Sequence, residues 1–316
     1  MQIYRQLDQL PDTGRPVVAT IGNFDGVHLG HRSVIAEVIA RARELSGVSL
    51  AITFDPHPAR VLRPEQPFAQ ITPLPRKLEL LAETGIDAVL VVPFTETFCH
   101  MSAHEFAEGV LLRAVHATEV HEGENFRFGY RAEAGIEGLG ELGRTLGFGV
   151  KVYAPRSLRG APISSSRIRA LLSADQVSQA RALLGRAFSI DSTPASGRGY
   201  GTRYAVPTIN LAPYAELLPA NGVYVTSLKV GAETFEAVTN VGNRPTFGAD
   251  SFAVESHLLN FHPVDLAPET PLRLTFLRRL RAEQKFPTPE LLRAQILHDV
   301  AQARRYFDLC KCLDIA

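Results

Sequence analysis

The stretch Val17-Val18-Ala19-Thr20-Ile21-Gly22-Asn23-Phe24-Asp25-Gly26-Val27-His28-Leu29-Gly30-His31 decides how the first half of the chain is read. Val17–Gly22 is a short apolar run of strand character, and helical spacing follows over Ser33–Leu45. The glycines between them let backbone approach a ligand with no Cβ in the way. A helix start offers free N–H groups and partial positive charge, which suits phosphate. His28 and His31 are three apart, so in a helical turn they share a face. Two imidazoles there can donate hydrogen bonds to phosphate oxygens and stabilise charge that develops on transfer. The competing reading is a glycine turn with two surface histidines.

Working outward, Val48–Phe54, Asp87–Pro93, Ala117–His121 and Val150–Tyr153 are further apolar runs. Arg76–Glu83, Ala103–Val115 and Gly138–Leu146 carry helical spacing between them. Continuous apolar strands alternating with helices predict a parallel sheet covered on both faces, a doubly wound α/β domain. Such a fold binds ligands at the carboxyl ends of its strands, near the switch in strand order. Ser165–Leu172 and Gln176–Leu184 read as two closing helices, after which the character changes. Phe188–Asp191, Val223–Val230, Thr234–Val241, Phe252–Phe261 and Leu272–Leu280 are short strand-like runs between turns rich in Gly, Pro and Asn. They predict a small β-barrel or sandwich. Pro289–Phe307 reads as a helix capped by Thr288, its apolar stripe of Leu291, Leu292, Ile296, Val300, Ala303 and Phe307 expected to pack on the barrel. The boundary falls near Gly185, giving domains 1–185 and 186–316.

Composition limits the function classes. A length of 316 residues suits about two domains, and 45% hydrophobic residues with 17 Phe can fill their cores. Lys plus Arg and Asp plus Glu balance at 33 each, which argues against a broad electrostatic grip on nucleic acid. Three cysteines, Cys99, Cys310 and Cys312, make no disulfide framework and fit a reducing compartment. No apolar stretch reaches a membrane span, and the N-terminus lacks the apolar core of a signal peptide. The expectation is a soluble, cytoplasmic protein without a membrane or nucleic-acid partner.

The form Gly22-x-Phe24-Asp25-Gly26-x-His28-x-Gly30-His31 closely resembles the His-x-Gly-His signature of nucleotidyltransferases, in the version found in FAD synthetases. A second signature of that family has its match at Ile163-Ser164-Ser165-Ser166-Arg167-Ile168-Arg169, with Ser166 in place of a threonine. The resemblance implies a Rossmann-like nucleotidyltransferase domain. In it, Gly22, Phe24, Asp25, Gly30, Ser164, Ser165, Ser166 and Arg169 bind ATP, and His28 and His31 act in catalysis. Read alone, the serine run could be no more than a helix cap. Thr53-Phe54-Asp55-Pro56-His57-Pro58 and Gly123-Glu124-Asn125-Phe126-Arg127-Phe128-Gly129 match the FAD-synthetase branch and follow apolar runs. They imply a flavin site with Phe54, Pro56, His57, Asn125, Phe126 and Phe128, the rings able to pack on flavin and Asn125 to hydrogen-bond it. Taken singly, the phenylalanines read as ordinary core.

The resemblance continues into riboflavin kinase. Gly197-Arg198-Gly199-Tyr200-Gly201 can cradle phosphates, and Pro207-Thr208-Ile209-Asn210 matches a Pro-Thr-Ala-Asn motif. Thr208 and Asn210 offer hard oxygen ligands suited to Mg²⁺ shared with ATP. Gly197, Gly201 and Arg203 are the implied nucleotide contacts, Arg203 standing one place later than the family's arginine. Asn221-Gly222-Val223-Tyr224, Asn240–Thr246 and the late Arg281, Glu283, Lys285 and Phe286 also match. Asn260 replaces an aspartate that is usual after Leu258-Leu259. Glu255 falls where the family carries its glutamate, in an otherwise apolar strand. It is the candidate general base, since riboflavin presents a neutral alcohol. The competing reading of Glu255 is a cross-strand ion pair.

Together these matches imply an enzyme that phosphorylates riboflavin to FMN, forming ADP, and then adenylylates FMN to FAD, releasing pyrophosphate. ATP is the co-substrate of both steps, and Mg²⁺ is the implied cofactor. Three alternatives remain at this level: an FMN adenylyltransferase with a degenerate kinase domain, a non-catalytic flavin or nucleotide sensor, and a nucleic-acid-binding protein.

Overall fold

A computed structural model describes residues 1–12, 14–195, 208–243, 252–262 and 266–313, without the side chains of Asn243 and Phe252. The chain divides into two compact units, Met1–Ser165 and Ser166–Ala316.

In the first unit the apolar runs form a six-stranded, wholly parallel sheet. Its strands are β1 (Gln2–Tyr4), β2 (Val17–Ile21), β3 (Val48–Asp55), β4 (Ala88–Pro93), β5 (Ala117–Gly123) and β6 (Gly149–Tyr153), in the order β1-β4-β3-β2-β5-β6. β1, three residues long at an edge, has no counterpart in the sequence reading. From the central β2 the chain steps to β3 on one side and, later, to β5 on the other, which puts the switch in strand order at the end of β2.

Alternate residues of these strands enter two cores. Ala51, Val89 and Val91 pack with α1 (Leu29–Glu44) and α3 (Leu74–Ala82) through Ile35, Ile39, Leu80 and Leu81. Ala19, Ile21, Leu50, Ile52 and Leu90 pack on the opposite face. There they meet α5 (Ala103–Phe106), its continuation over Ala107–Ala114, and α6 (Ile136–Leu146). That continuation is a π-helix rather than the α-helix expected. Helix α1 begins four residues earlier than its apolar spacing suggests, directly after His28. Arg41 on α1 grips Glu119 on β5 through contacts of 2.7–3.0 Å. This pairing drives the Glu119 carboxyl down to about 2.

Short helices α2 (Pro58–Leu62) and α4 (Glu96–Cys99) follow β3 and β4, and a small hairpin joins β7 (Ser157–Leu158) to β8 (Ala161–Pro162). Helices α7 (Ser165–Ser173) and α8 (Val177–Leu184) come next. By contacts, residues from Ser166 onward group with the second unit.

The second sheet is antiparallel throughout. Its strands are β9 (Phe188–Ser192), β10 (Thr208–Leu211), β11 (Gly222–Val230), β12 (Glu233–Asn243), β13 (Phe252–Leu258) and β14 (Leu272–Arg281). Their order is β10-β13-β12-β11-β14-β9. The chain beyond β9 then pairs with β10 through a Pro194–Leu211 bridge, Ala195 N–H donating to Asn210 O and Ala212 N–H to Thr193 O at 2.8 Å each. That pairing closes the sheet into a barrel.

Tyr224 packs edge-on against Phe276, which stacks on Phe188, all three buried. Beside them runs a chain of fully buried hydroxyls: Thr226 to Thr239 at 2.6 Å and Thr239 to Ser256 at 2.8 Å. The last helix, α9 (Pro289–Cys312), is capped by Thr288 as expected. Its stripe divides: Val300, Ala303 and Phe307 pack on Val223, Val225 and Val238, while Leu291, Leu292 and Ile296 stay exposed. The expectation that the whole stripe packs on the barrel therefore fails for its first half. No helix among the described residues is long and apolar enough to cross a membrane.

Candidate active sites

The first site is built on the turn after β2. Gly22 N–H still bonds Ile52 O on β3, and then the chain turns sharply. Phe24 and Val27 take φ of 45° and 38°. For a β-branched residue such as Val27 that is a strained conformation, sustained here by complete burial. Asp25, 1% exposed, holds the turn from beneath. Its carboxylate accepts from Ile71 N–H at 3.1 Å and Thr72 N–H at 2.9 Å. Phe24 is also buried and meets the His31 ring edge-on at 5.3 Å. In this structure Asp25 and Phe24 thus shape the turn.

His28 caps α1, its Nδ1 accepting from His31 N–H at 3.3 Å. That bond assigns the His28 proton to Nε2, which makes Nε2 a donor. The two imidazoles stack with centroids 3.6 Å apart and 16° between planes. Burial, then the neighbouring His28 and Lys77, push the His31 pKa well below its ordinary range, so His31 is neutral. A Cβ on Gly30 would lie 3.1 Å from the His28 ring and 3.6 Å from Ile163 O, so this glycine lets the second signature approach the first. Ser165 Oγ donates to Asp25 O at 2.8 Å. Ser164 and Ser165 lie in the first unit, while Ser166 and Arg169, three apart on α7, belong to the second.

Where β2 and β5 part, Glu122 fills the gap. Its carboxyl accepts from Ile21 N–H and, at 3.2 Å, from the Thr20 hydroxyl. Burial pushes it up to about 8. The flavin candidates follow the neighbouring strand ends. Asn125 is exposed just beyond β5, and Pro56 is exposed beyond β3. His57 is buried, caps α2 through Ala59 N–H at 3.1 Å and stacks on Phe68 at 4.3 Å. Phe54 and Phe126 belong to one aromatic series: Phe54, Phe98, Phe106, Phe128 and Phe126, each ring 5.3–6.2 Å from the next. Phe94 joins it beside Phe54 and Phe98. Phe94, Phe98 and Phe106 escaped the sequence reading, although Phe94 and Phe98 follow an apolar run as Phe54 does.

The second site lies on the barrel. Across the ladders Asn210 on β10 stands opposite Glu255 on β13, and Asn240 on β12 stands opposite Glu255 on the other side. Directly opposed side chains share a face with Cβ atoms about 4.5–5.5 Å apart. Thr208 lies two residues from Asn210 on the same face, opposite His257. Hydroxyl, amide and carboxylate groups thus share one face of the ladder, and their oxygen chemistry suits a hard divalent cation. Glu283 presses its carboxylate against Gly242, where any Cβ would collide with it. Asn260 Nδ2 donates to Glu236 at 3.2 Å. Gly197, Gly201 and Arg203 lie outside the described residues.

The fold and these sites define a two-part chain, an α/β unit with a histidine-bearing turn at its switch point and a β-barrel with a strand-borne carboxylate. Residues 10–167 match the family model of FAD synthetase, and residues 184–307 match that of riboflavin kinase. A bifunctional riboflavin kinase/FMN adenylyltransferase of Pseudomonas fluorescens is 34% identical over 96% of this chain and 97% of its own. One of Escherichia coli K12 is 33% identical over 96% of each. A crystal structure described as a macrolide-efflux protein of Streptococcus pneumoniae covers 96% of this chain and 98% of its own. Its TM-score is 0.86 at 24% identity, a likeness of fold. The chain belongs to the family of bifunctional riboflavin kinase/FMN adenylyltransferases.

Proposed function

We infer that the chain converts riboflavin to FMN and FMN to FAD, each at the expense of ATP. The observation that carries this reading is that the two family matches fall on two compact units, with the histidine-bearing turn in the first and Glu255 in the second. The domain boundary proposed at Gly185 follows the same division of labour.

In the barrel, Glu255 accepts the proton of the riboflavin primary hydroxyl while the oxygen attacks the γ-phosphorus of ATP and ADP leaves. The proposed metal is Mg²⁺: Thr208 and Asn210 would hold it, and it would supply charge neutralisation for the transferring phosphate. Gly197, Gly201 and Arg203 complete the proposed nucleotide contacts. In the α/β unit the nucleophile is already an anion, the FMN phosphate. It bonds to the α-phosphorus as the bond to the β-phosphate oxygen breaks and pyrophosphate leaves. No base is required; position and charge stabilisation are. His28 and His31 donate to the phosphates, as do the free backbone N–H groups at the start of α1. Ser164, Ser165, Ser166 and Arg169 hold the β- and γ-phosphates. Phe24 and Asp25 keep the turn in shape for ATP. Phe54 and the rings that continue it receive the flavin, with Pro56, His57 and Asn125 at its edges. A cytoplasmic location belongs to the same reading.

The test is one incubation of the full chain with riboflavin, ATP and Mg²⁺, the flavins separated over time. FMN followed by FAD is expected. FAD from supplied FMN alone would leave only the adenylyltransferase, and no turnover would favour a flavin or nucleotide sensor.

A further inference from the structure

Lys77 on α3 is 1% exposed, and nothing in its sequence context singles it out. Its ammonium bonds Thr53 Oγ1 at 3.4 Å, near the carboxyl end of β3. Burial lowers its pKa, while the carboxylates of Asp25 and then Asp55 hold it up. Taking an ammonium out of water costs several kcal/mol even after relaxation, so a buried lysine needs a compensating reason. A methionine would fill much of the same space without that cost.

The reason lies in the charges around the turn. Asp25 is committed to the backbone of Ile71 and Thr72, so the turn cannot be built this way without its carboxylate. Asp55 ends the neighbouring strand β3. Without Lys77, two carboxylates would stand beside a turn whose N–H groups and histidines are arranged for anions. Like charges repel more strongly where water is scarce.

We propose that Lys77 is a positioning residue for adenylyl transfer: its buried ammonium offsets the carboxylates of Asp25 and Asp55 beside the Gly22–His31 turn, so that the triphosphate of ATP can settle there. This rests on the reading that the turn receives ATP. Lys77 does not touch the nucleotide; it acts through the field at the turn. The same cation helps keep His31 neutral, which leaves the imidazole pair stacked rather than mutually repelling.

The experiment uses the full chain and follows FAD formation from FMN and, in the same preparation, FMN formation from riboflavin. Lys77→Met should raise the KM for ATP in FAD formation by about tenfold or more, with a smaller change in kcat. Riboflavin phosphorylation should be unchanged. Adding Asp55→Asn to Lys77→Met should bring that KM back toward the wild-type value, a rescue that a space-filling role for Lys77 does not predict. Asp55→Asn alone should lower the KM. An unaltered KM in Lys77→Met, or a raised one that Asp55→Asn leaves in place, would overturn the proposal. If Lys77→Met loses its cooperative melt, Asp55→Asn alone decides, and a KM that stays or rises overturns the idea. A wild-type chain that makes no FAD from FMN would sink the reading of the turn and this inference with it; an unaltered KM sinks the inference alone.

Discussion

Asn210 and Glu255 stand directly opposite each other across the ladder between β10 and β13, and Asn240 brackets Glu255 from β12. This register sets an amide on each side of the carboxylate. An amide can hydrogen-bond Glu255 without neutralising it and without competing for its proton.

Glu255→Gln keeps size and register but removes the proton acceptor. Riboflavin phosphorylation should fall by roughly 10²–10⁴, the usual contribution of a positioned base. Adenylylation of supplied FMN and the melting temperature should not move. A rate loss that tracks a lowered melting temperature would instead mark Glu255 as structural.

Replacing both His28 and His31 with alanine should cripple FAD formation from FMN and spare FMN formation. Losing one preorganised donor to a developing charge costs about 10²–10³ in rate. Kinetics of both steps on one preparation check this, and an equal fall in both would point to global unfolding.

Glu122→Gln should change how stability depends on pH. With a carboxyl held at about 8 against an ordinary 4.5, the native state keeps a proton that the unfolded chain releases. Wild-type stability therefore falls as pH rises from 4.5 toward 8, by up to about 1.4 kcal/mol per pH unit. The glutamine can still accept from Ile21 and has no proton to lose. Melting curves across that window should show the variant gaining on the wild type as pH rises; a constant gap would refute the account.

A fragment of residues 186–316 should retain riboflavin kinase activity, and one of residues 166–316 should also retain it and melt higher. Helix α8 packs on β9 and β14 and buries Val177, Ala180, Leu183 and Leu184. Each fully buried large aliphatic side chain is worth about 1.5–3 kcal/mol. If the shorter fragment melts cooperatively yet never makes FMN while the full chain does, the kinase is misassigned.

How legible these features were depended on the range of the interactions behind them. Strands β2, β3 and β4 showed plainly because most of their residues are buried in nearly continuous apolar runs. Strand β10 did not, since at the edge of the β13 ladder its Thr208 is exposed and only Ile209 and Leu211 are buried. His28 and His31 were readable from a three-residue spacing. The latching role of Asp25 was not, because its partners Ile71 and Thr72 lie 46 and 47 residues away. Lys77 and Glu122 look like surface residues of an amphipathic helix and a strand end until the tertiary structure buries them. The exposed Leu291, Leu292 and Ile296 show the reverse failure, since helical spacing says which face is apolar but not how far the partner surface extends.

The hydroxyl chain inside the barrel has a direction. Thr226 can donate to Ala237 O at 3.3 Å, so the protons run from Ser256 through Thr239 to Thr226 and end on that carbonyl. Ser256 is the immediate neighbour of Glu255 on β13. Were that strand to pair one residue out of step, the side-chain alternation would carry Glu255 into the barrel in place of Ser256. A carboxylate would then meet two threonines amid apolar rings, and the hydroxyl chain would lose its first donor. The barrel thus proofreads its own assembly: the residue proposed to take a proton also penalises the one-residue misalignment that would hide it.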